Sequence, residues 1–241
     1  MRQAPRTSPL SPPRVNREPV QVLFHDAALL AVNKPSGLIT HRGWANDRDN
    51  ALRRARALAD AYVYPVHRLD RGTSGVLLFA LSAELASALG QTLQAGGVHK
   101  HYLALVRGVT ADSLEIDHPL AKEPGQEPKP AQTSVRRLGT FERYSLVEVR
   151  PHTGRPHQVR RHLKHVSHPI VGDTRYGSGE HNRIWRARFG LHRLALHAAK
   201  LSFIHPHSGE RVVLRAALPE DLAQPLKAME LFDIAESAIA T

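Results

Sequence analysis

Residues 67–80 read HRLDRGTSGVLLFA, and this stretch joins a polar loop to an apolar strand. Its first half places one carboxylate, Asp70, between Arg68 and Arg71, and then supplies glycines and small hydroxyl residues. Its second half begins an apolar run, residues 76–81, typical of a buried strand. Neighbouring cations keep a carboxylate ionised, as a nucleophile requires. A simple surface Asp–Arg pair has the same local pattern, so this loop alone does not decide the chemistry.

Short apolar runs broken by turn residues surround this stretch, and they predict an α+β fold. Strands outnumber helices and several are joined by short turns, which favours a mixed or mostly antiparallel central sheet with flanking helices and loops. Residues 101–108 are apolar on both strand faces, which indicates a central position. The predicted strands are residues 20–24, 28–32, 62–66, 76–81, 101–108, 134–138, 144–150, 193–205 and 211–218.

Four helices are predicted from capping residues and apolar spacing. The residues expected to cap or open them are Asp49 or Asn50, Ser82, Pro156 and Pro225. The last helix should run to about Phe232. The expected apolar face of the first helix consists of Leu52, Ala55, Leu58, Ala59 and Tyr62.

The chain divides into a tail and one domain. Residues 1–19 are rich in proline and arginine and have almost no periodic apolar residues, which predicts a disordered basic tail. Residues 20–241 should form a single catalytic domain. The Pro-rich segment 121–131 is short and has strands on both sides, so it is not expected to be a domain boundary.

The charge balance suggests a polyanionic partner. Lysine and arginine number 33 against 22 acidic residues, and the formal net charge is +11 with the 16 histidines neutral. Such a balance favours nucleic acid, because neutralised phosphates release condensed counterions. A well-solvated basic surface is the simpler alternative. The chain has no cysteine, which excludes disulfides, thiolate nucleophiles and cysteine-type zinc sites. Its apolar runs are short, so we expect no membrane association and a cytoplasmic location.

Five ordered segments carry a family resemblance. HRLDRGTSGVLLFA is accompanied by VNKPSGLITH (32–41), HKHYLALVRG (99–108), TGRPHQVRRHL (153–163) and HPIVGDTRYG (168–177). Together they resemble the RluA family of RNA pseudouridine synthases over nearly the whole chain after the tail. The resemblance implies the pseudouridine synthase fold and the isomerisation of uridine to pseudouridine. That reaction oxidises nothing and adds nothing, so no cofactor is expected.

The resemblance also implies which residues act. Asp70 matches the family's nucleophile or elimination-promoting carboxylate. Tyr102 matches a tyrosine that lies against the uracil and helps to remove the proton from carbon 5, although a core tyrosine is the simpler alternative. Arg160 matches the arginine that pairs with this aspartate. Helical phase agrees, because Arg160 lies beside the apolar stripe of its predicted helix whereas Arg161 points away.

Three further arginines are implied as RNA contacts. Arg68 matches the basic residue that takes the place of the extruded base, for which a stacking guanidinium is suited. Arg71 is expected to contact RNA phosphate, with an external salt bridge as the equal alternative. Arg155 lies in the segment that resembles the family's third active-site element and is predicted to bind RNA.

A cluster of histidines raises the alternative of a metal site. Their spacing matches no HExxH pattern, and no carboxylate lies between Pro151 and Ile170. We therefore expect no metal and assign these side chains to a polar RNA-facing surface. They are His152, His157, His162, His165 and His168.

Several stretches look most like the branch of the family called TruC, which modifies the T-stem uridine 65 of certain tRNAs. The resemblance therefore implies a tRNA substrate, with ribosomal RNA as the alternative. The early start of the catalytic region leaves no room for the additional N-terminal RNA-binding domain of many relatives. A monomer is expected. Two other classes stay open, a noncatalytic RNA-binding protein and a glycoside hydrolase or nucleosidase, which would need a second catalytic carboxylate.

Overall fold

The computed structural model describes residues 20–41 and 49–241, which form one ten-stranded sheet with helices against it. The predicted tail, residues 1–19, lies outside the described residues. The strands are β1 Gln21–His25, β2 Leu29–Lys34, β3 Tyr64–Pro65, β4 Ser74–Ala80, β5 His99–Arg107, β6 Ser113–Asp117, β7 Gln132–Phe141, β8 Tyr144–Pro151, β9 Leu196–Ile204 and β10 Arg211–Arg215. The helices are α1 Ala51–Ala59, α2 Ala83–Gln94, α3 Gln158–His165, α4 Gly179–Phe189, α5 Glu220–Ala228 and α6 Phe232–Ala240.

The sheet is mixed and mostly antiparallel, which confirms the predicted α+β class. Its order is β1-β2-β4-β9-β5-β8-β7-β6, with β10 beside β9 and β3 beside β4. Every pairing of these strands is antiparallel except that of β4 with β9. The central position predicted for β5 is also confirmed, because it lies between β8 and β9.

The capping residues act as the sequence predicts at the first two helices. Asn50 caps α1 by accepting a hydrogen bond from the Arg53 backbone N–H, and Ser82 caps α2 by accepting one from Leu85. No helix of the described residues is long and apolar enough to cross a membrane, and α2, the longest, has 12 residues.

Two predictions about the N-terminal half are wrong. The strand expected at 62–66 is only two residues long. The apolar face assigned to α1 is wrong in part. Ala55 is buried, and Leu52 and Ala59 pack partly buried against the core, whereas Leu58 and Tyr62 are exposed. Tyr62 lies beyond the helix, which ends at Ala59, where Asp60 takes a left-handed conformation.

The C-terminal helix also differs from the prediction, since Pro225 lies inside α5 rather than at its start. Pro219 is the N-cap, and the acidic first turn of α5 suits the helix dipole. Pro225 lacks the N–H that would bond to the Asp221 carbonyl, but it is buried beside Leu226. Packing therefore outweighs the lost hydrogen bond. A separate helix, α6, follows it, and β6, α4 and α6 have no counterpart among the predicted elements.

One glycine makes the parallel β4–β9 contact possible. Gly75 pairs with Ala198 and has φ +114, and a Cβ there would lie 2.2 Å from the Ala198 carbonyl oxygen. The contact places the loop before β4 next to β9 and β5, which is where Asp70 and Tyr102 meet.

We expect Gly75→Ala to lower the free energy of unfolding by about 3 kcal/mol, because overpacking and a disfavoured backbone conformation add. Urea denaturation followed by circular dichroism measures this change. The matched control is Gly90→Ala in α2, where an added Cβ meets nothing within 4 Å. That change should stabilise the protein by about 1 kcal/mol. A fully stable Gly75→Ala protein would contradict this close approach.

Candidate active site

The loop that carries Asp70 is held by the segment that follows β2. The Thr40 hydroxyl donates to the Leu69 carbonyl at 3.0 Å and accepts from the Leu69 N–H at 3.1 Å. The Ser36 hydroxyl donates to the Gly72 carbonyl at 2.8 Å. Backbone groups on both sides of Asp70 are therefore fixed, and the carboxylate has a defined position.

A buried lysine supports the same loop from below. Lys34 is fully buried, and its Nζ donates to the carbonyls of Leu38 at 2.7 Å and Pro35 at 2.9 Å. Burial, with the charge of Arg193, lowers the pKa of Lys34 to about 7, and the charge of Asp70 partly opposes this shift.

A second buried chain of hydrogen bonds lies behind the start of β4. Arg193 donates to Asp221 at 2.8 Å and to the Ser74 hydroxyl at 2.7 Å. Ser74 contacts His197 Nδ1 at 2.8 Å, and His197 Nε2 contacts the Ala216 carbonyl at 3.0 Å. A carbonyl can only accept, so His197 Nε2 carries the proton and Ser74 donates to Nδ1. Burial lowers the pKa of His197 to about 4, so the ring is neutral at pH 7.

Arg160 joins the two carboxylates at the centre of the site. Its Nη1 donates to Asp70 Oδ2 at 2.8 Å, and its Nε and Nη2 donate to the two oxygens of Asp173 at 2.8 and 2.9 Å. Burial alone would disfavour the charge of Arg160, but the hydrogen bonds and charges of Asp173 and Asp70 outweigh it and raise its pKa. The predicted pairing of Arg160 with Asp70 is present.

Asp173 is held as tightly as the arginine it binds. Its side chain is fully buried and also accepts from the backbone N–H groups of Arg175 at 2.9 Å and Tyr176 at 3.0 Å. Burial by itself would raise the pKa of Asp173, but the hydrogen bonds from Arg160 and the backbone lower it by more, so the net shift is downward. Asp173 is therefore a permanent anion that orients Arg160.

The turn before α3 is built around one amide side chain. Gln158 Oε1 accepts from the Thr153 hydroxyl at 2.7 Å and the Arg155 N–H at 2.9 Å, and Nε2 donates to the Gln132 carbonyl at 2.8 Å. The helix begins at Gln158, so the prediction of Pro156 in its first turn is wrong. Arg161 points away from Asp70, as predicted, and donates to the Ala121 carbonyl at 2.7 Å.

Tyr102 reaches the site from the central strand. The β5–β9 register shifts between His101 and Tyr102, and such an irregularity re-aims a side chain. Burial, with the negative charge of Asp70, raises the pKa of Tyr102, so its hydroxyl stays protonated. Lys100, two residues earlier, donates to the Thr153 carbonyl at 3.0 Å, and burial lowers its pKa to about 8.

The Asp70 loop, the central strand and the start of α3 line one pocket of about 550 Å³. Its lining includes all three predicted catalytic residues and two of the three predicted RNA contacts, namely Asp70, Tyr102, Arg160, Arg68 and Arg155. Arg68 is exposed at the pocket, and Arg155 also donates to the Pro130 carbonyl at 3.0 Å. Arg71 is exposed but does not line the pocket.

Sequence reasoning missed Asp173 and Tyr176, and it assigned His157 to an RNA-facing surface without predicting its position beside Asp70. His157 Nε2 lies 3.7 Å from Asp70 Oδ1, and its Nδ1 lies 2.9 Å from the Tyr176 hydroxyl. Asp173 had a local signal, because an aspartate that accepts from the backbone N–H groups two and three residues later is typical of an Asx turn. Its pairing with Arg160 had no sequence signal, because that contact depends on the path of the chain.

The other histidines of the predicted cluster are dispersed. His162 is fully buried between Thr133 and the His118 carbonyl, so its assignment to an RNA-facing surface is wrong. His165 stacks on His118 with ring centroids 3.7 Å apart. Within residues 20–41 and 49–241, no three acidic or histidine side chains gather as metal ligands.

Comparison with known proteins gives consistent matches. Residues 28–165 match the family model described as RNA pseudouridylate synthase. A tRNA pseudouridine synthase C from Pectobacterium carotovorum is 42% identical over 82% of this chain, and the match spans 58% of that protein. The protein of the same name from Vibrio cholerae is 39% identical over 83% of this chain and 92% of its own. The solved structure titled Human RNA Pseudouridylate Synthase Domain Containing 4 has 26% identity and a TM-score of 0.73, covering 87% and 93% of the two chains.

The buried neutral His197 predicts a pH-dependent stability. Its folded pKa of about 4 lies below the ordinary value of 6.5, so its contribution is complete above pH 6.5 and is lost as the pH falls toward 4. The loss should reach roughly 3 kcal/mol. Urea denaturation from pH 7 to pH 4 measures it.

A matched pair of variants tests whether His197 causes this dependence of stability on pH. His197→Asn should be less stable at pH 7 but should lose this part of the pH dependence, whereas the exposed neighbour His192→Asn should keep it. Identical slopes in the wild type and in His197→Asn would show that His197 is not the group responsible.

Proposed function

Since the chain belongs to the RNA pseudouridylate synthase family, in the TruC branch of the RluA group, we propose that it isomerises a uridine of tRNA through Asp70, Tyr102 and Arg160. The observation that carries the assignment of residues is the 2.8 Å contact of Arg160 with Asp70 inside the pocket. It places a carboxylate paired with a guanidinium where a flipped nucleoside can reach it.

The reaction breaks the bond between ribose carbon 1′ and uracil N1, turns the base, and joins its carbon 5 to the same ribose carbon. Asp70 acts either as a nucleophile at carbon 1′ or by promoting elimination at the ribose, and both routes need the ionised form. Arg160 fixes the position of the carboxylate through its hydrogen bond to Oδ2. Tyr102, protonated and half-buried, lies against the uracil as one wall of the pocket.

The RNA contacts follow from exposure and charge. Arg68 is exposed at the pocket, where its guanidinium can stack in the gap left by the extruded base. Arg155 also lines the pocket, and its guanidinium has N–H groups besides Nε–H for phosphate. Arg71 lies outside the pocket lining, so its proposed phosphate contact belongs to the flanking RNA.

The tRNA substrate rests on the named relatives, several of which are called tRNA pseudouridine synthase C at 37–42% identity. We propose uridine 65 of the T stem as the target, and the relatives do not favour the ribosomal RNA alternative. We further propose that the protein needs no cofactor, because the isomerisation is redox-neutral. We also propose that it acts as a monomer, because the reaction uses one pocket. The proposed location is the cytoplasm.

Asp70→Asn should abolish tritium release from tRNA labelled at uracil carbon 5, because the amide is neither a nucleophile nor a base. RNA binding should persist, within about threefold at matched salt. Tritium release assays and filter binding measure the two effects. Full activity of Asp70→Asn would exclude a catalytic aspartate, and free uracil among the products would favour a hydrolase. If the wild-type protein releases no tritium from tRNA or from ribosomal RNA, the noncatalytic alternative is favoured.

Arg160→Lys should lower kcat about 100-fold, since misplacing a catalytic group by about 1 Å has effects of that size. A lysine ammonium is a single charged point and cannot bind Asp173 through two parallel bonds while reaching Asp70. The neighbouring Arg161→Lys is the matched control, because one ammonium can replace its single bond to the Ala121 carbonyl. The two variants should differ in kcat, measured by pseudouridine formation, and equal values would contradict the role of Arg160.

A further inference from the structure

The two oxygens of Asp70 have different surroundings. Oδ2 accepts the 2.8 Å hydrogen bond from Arg160, whereas the ionisable group beside Oδ1 is His157, whose Nε2 lies 3.7 Å away. This distance exceeds that of an N–H···O hydrogen bond. The imidazole therefore stands next to Asp70 in the pocket without being bonded to it.

His157 is held in that place by strained backbone and by a neighbouring side chain. It has φ +53, a left-handed conformation that is costly for a residue other than glycine, at the N-cap of α3. Its Nδ1 lies 2.9 Å from the Tyr176 hydroxyl, and the backbone N–H of Tyr176 donates to Asp173 at 3.0 Å. Tyr176 thus links the ring to Asp173, the aspartate that orients Arg160. Backbone strain of this kind is often retained at functional sites.

We propose that His157 is the catalytic residue that accepts the proton leaving uracil carbon 5. In the tautomer that fits, Nδ1–H donates to the Tyr176 hydroxyl and the lone pair of Nε2 faces the pocket. Once carbon 5 has joined ribose carbon 1′, it still carries its hydrogen. Nε2 takes that proton, the C–H electron pair forms the C5–C6 double bond, and the C6–N1 double-bond pair moves to N1. N1 then takes one proton from the imidazolium or from water, so atoms and charge balance.

The other groups of the pocket are less suited to this step. Tyr102 is held protonated by burial and by the charge of Asp70, so no phenolate is present to accept a proton. Asp70 Oδ2 is engaged by the hydrogen bond from Arg160. After transfer, the imidazolium of His157 faces the Asp70 carboxylate, which stabilises the new charge.

The charges around His157 set its protonation state. They come from three elements: Asp70 on its loop, Arg160 on α3, and Asp173 and Arg175 on the loop before α4. Burial lowers the pKa of His157, Arg160 and Arg175 lower it further, and Asp70 and Asp173 oppose the shift. The net direction is downward, so the ring is neutral at pH 7 and able to accept a proton.

This inference rests on the proposed function, and a deuterium isotope effect tests it separately. The substrate is a full-length tRNA transcript with uridines deuterated or protiated at carbon 5. His157→Gln should lower kcat about 100-fold, in the range of a lost general base, and leave KM within about threefold. The isotope effect on kcat should become larger than in the wild type, because loss of the carbon 5 proton becomes limiting. A purely structural role would lower kcat without raising the isotope effect.

Controls separate the possible outcomes. His207→Gln, in the exposed turn between β9 and β10, should leave both kcat and the isotope effect unchanged. If His157→Gln does not fold, as judged by circular dichroism, Tyr176→Phe provides the second test, since it removes the partner that fixes the tautomer and should also raise the isotope effect. The acid limb of the kcat profile, lying below pH 6.5, should be present in the wild type and absent in His157→Gln.

An unchanged isotope effect in the folded variants, or an undiminished kcat, would overturn the role of His157. A wild-type protein that forms no pseudouridine in tRNA or ribosomal RNA would instead overturn the proposed function itself.

Discussion

Arg160 lies between two carboxylates that come from distant parts of the chain, and the geometry of the site depends on this contact. Asp70 is 90 residues away in sequence and Asp173 is 13 residues away. Because all three side chains are largely buried, each charge is stabilised by the opposite charge beside it. Removing one partner would leave an uncompensated charge. The pair formed with Asp173 uses two parallel bonds, so the guanidinium has little freedom left when it meets Asp70.

The rest of the fold brings the Asp70 loop to that guanidinium and keeps it there. Gly75 permits the close parallel contact of β4 with β9, so the loop emerges beside the central strand that carries Tyr102. Behind the loop, Lys34 and Arg193 bind backbone carbonyls and the Ser74 hydroxyl from within the core. Arg160 in turn binds the carboxylate itself, with Nη1 2.8 Å from Asp70 Oδ2.

Local signals identified much of the architecture. Asn50 and Ser82 cap helices because their side chains accept the N–H groups that the first turn leaves unpaired. Errors arose where packing decided the outcome. Tyr62 follows the helical spacing but lies beyond the end of α1, and Pro225 is tolerated inside α5 because its ring is buried. Periodicity predicts which residues share a face of a helix, but it does not predict the residue at which the helix begins or ends.

The sequence by itself determined the α+β class and the order of the motifs, because these depend on residue type and alternation. The candidacy of Asp70, Tyr102 and Arg160 followed from the family resemblance that those motifs carry. The sequence also placed Arg160 rather than Arg161 toward the site, since about 100° per residue separates their directions. Only the tertiary structure decided that Asp173 holds Arg160, that His157 stands beside Asp70, and that Arg71 lies outside the pocket lining. The physical reason is that these relations join segments through space, where loop paths and burial, rather than local spacing, set the distances between charges.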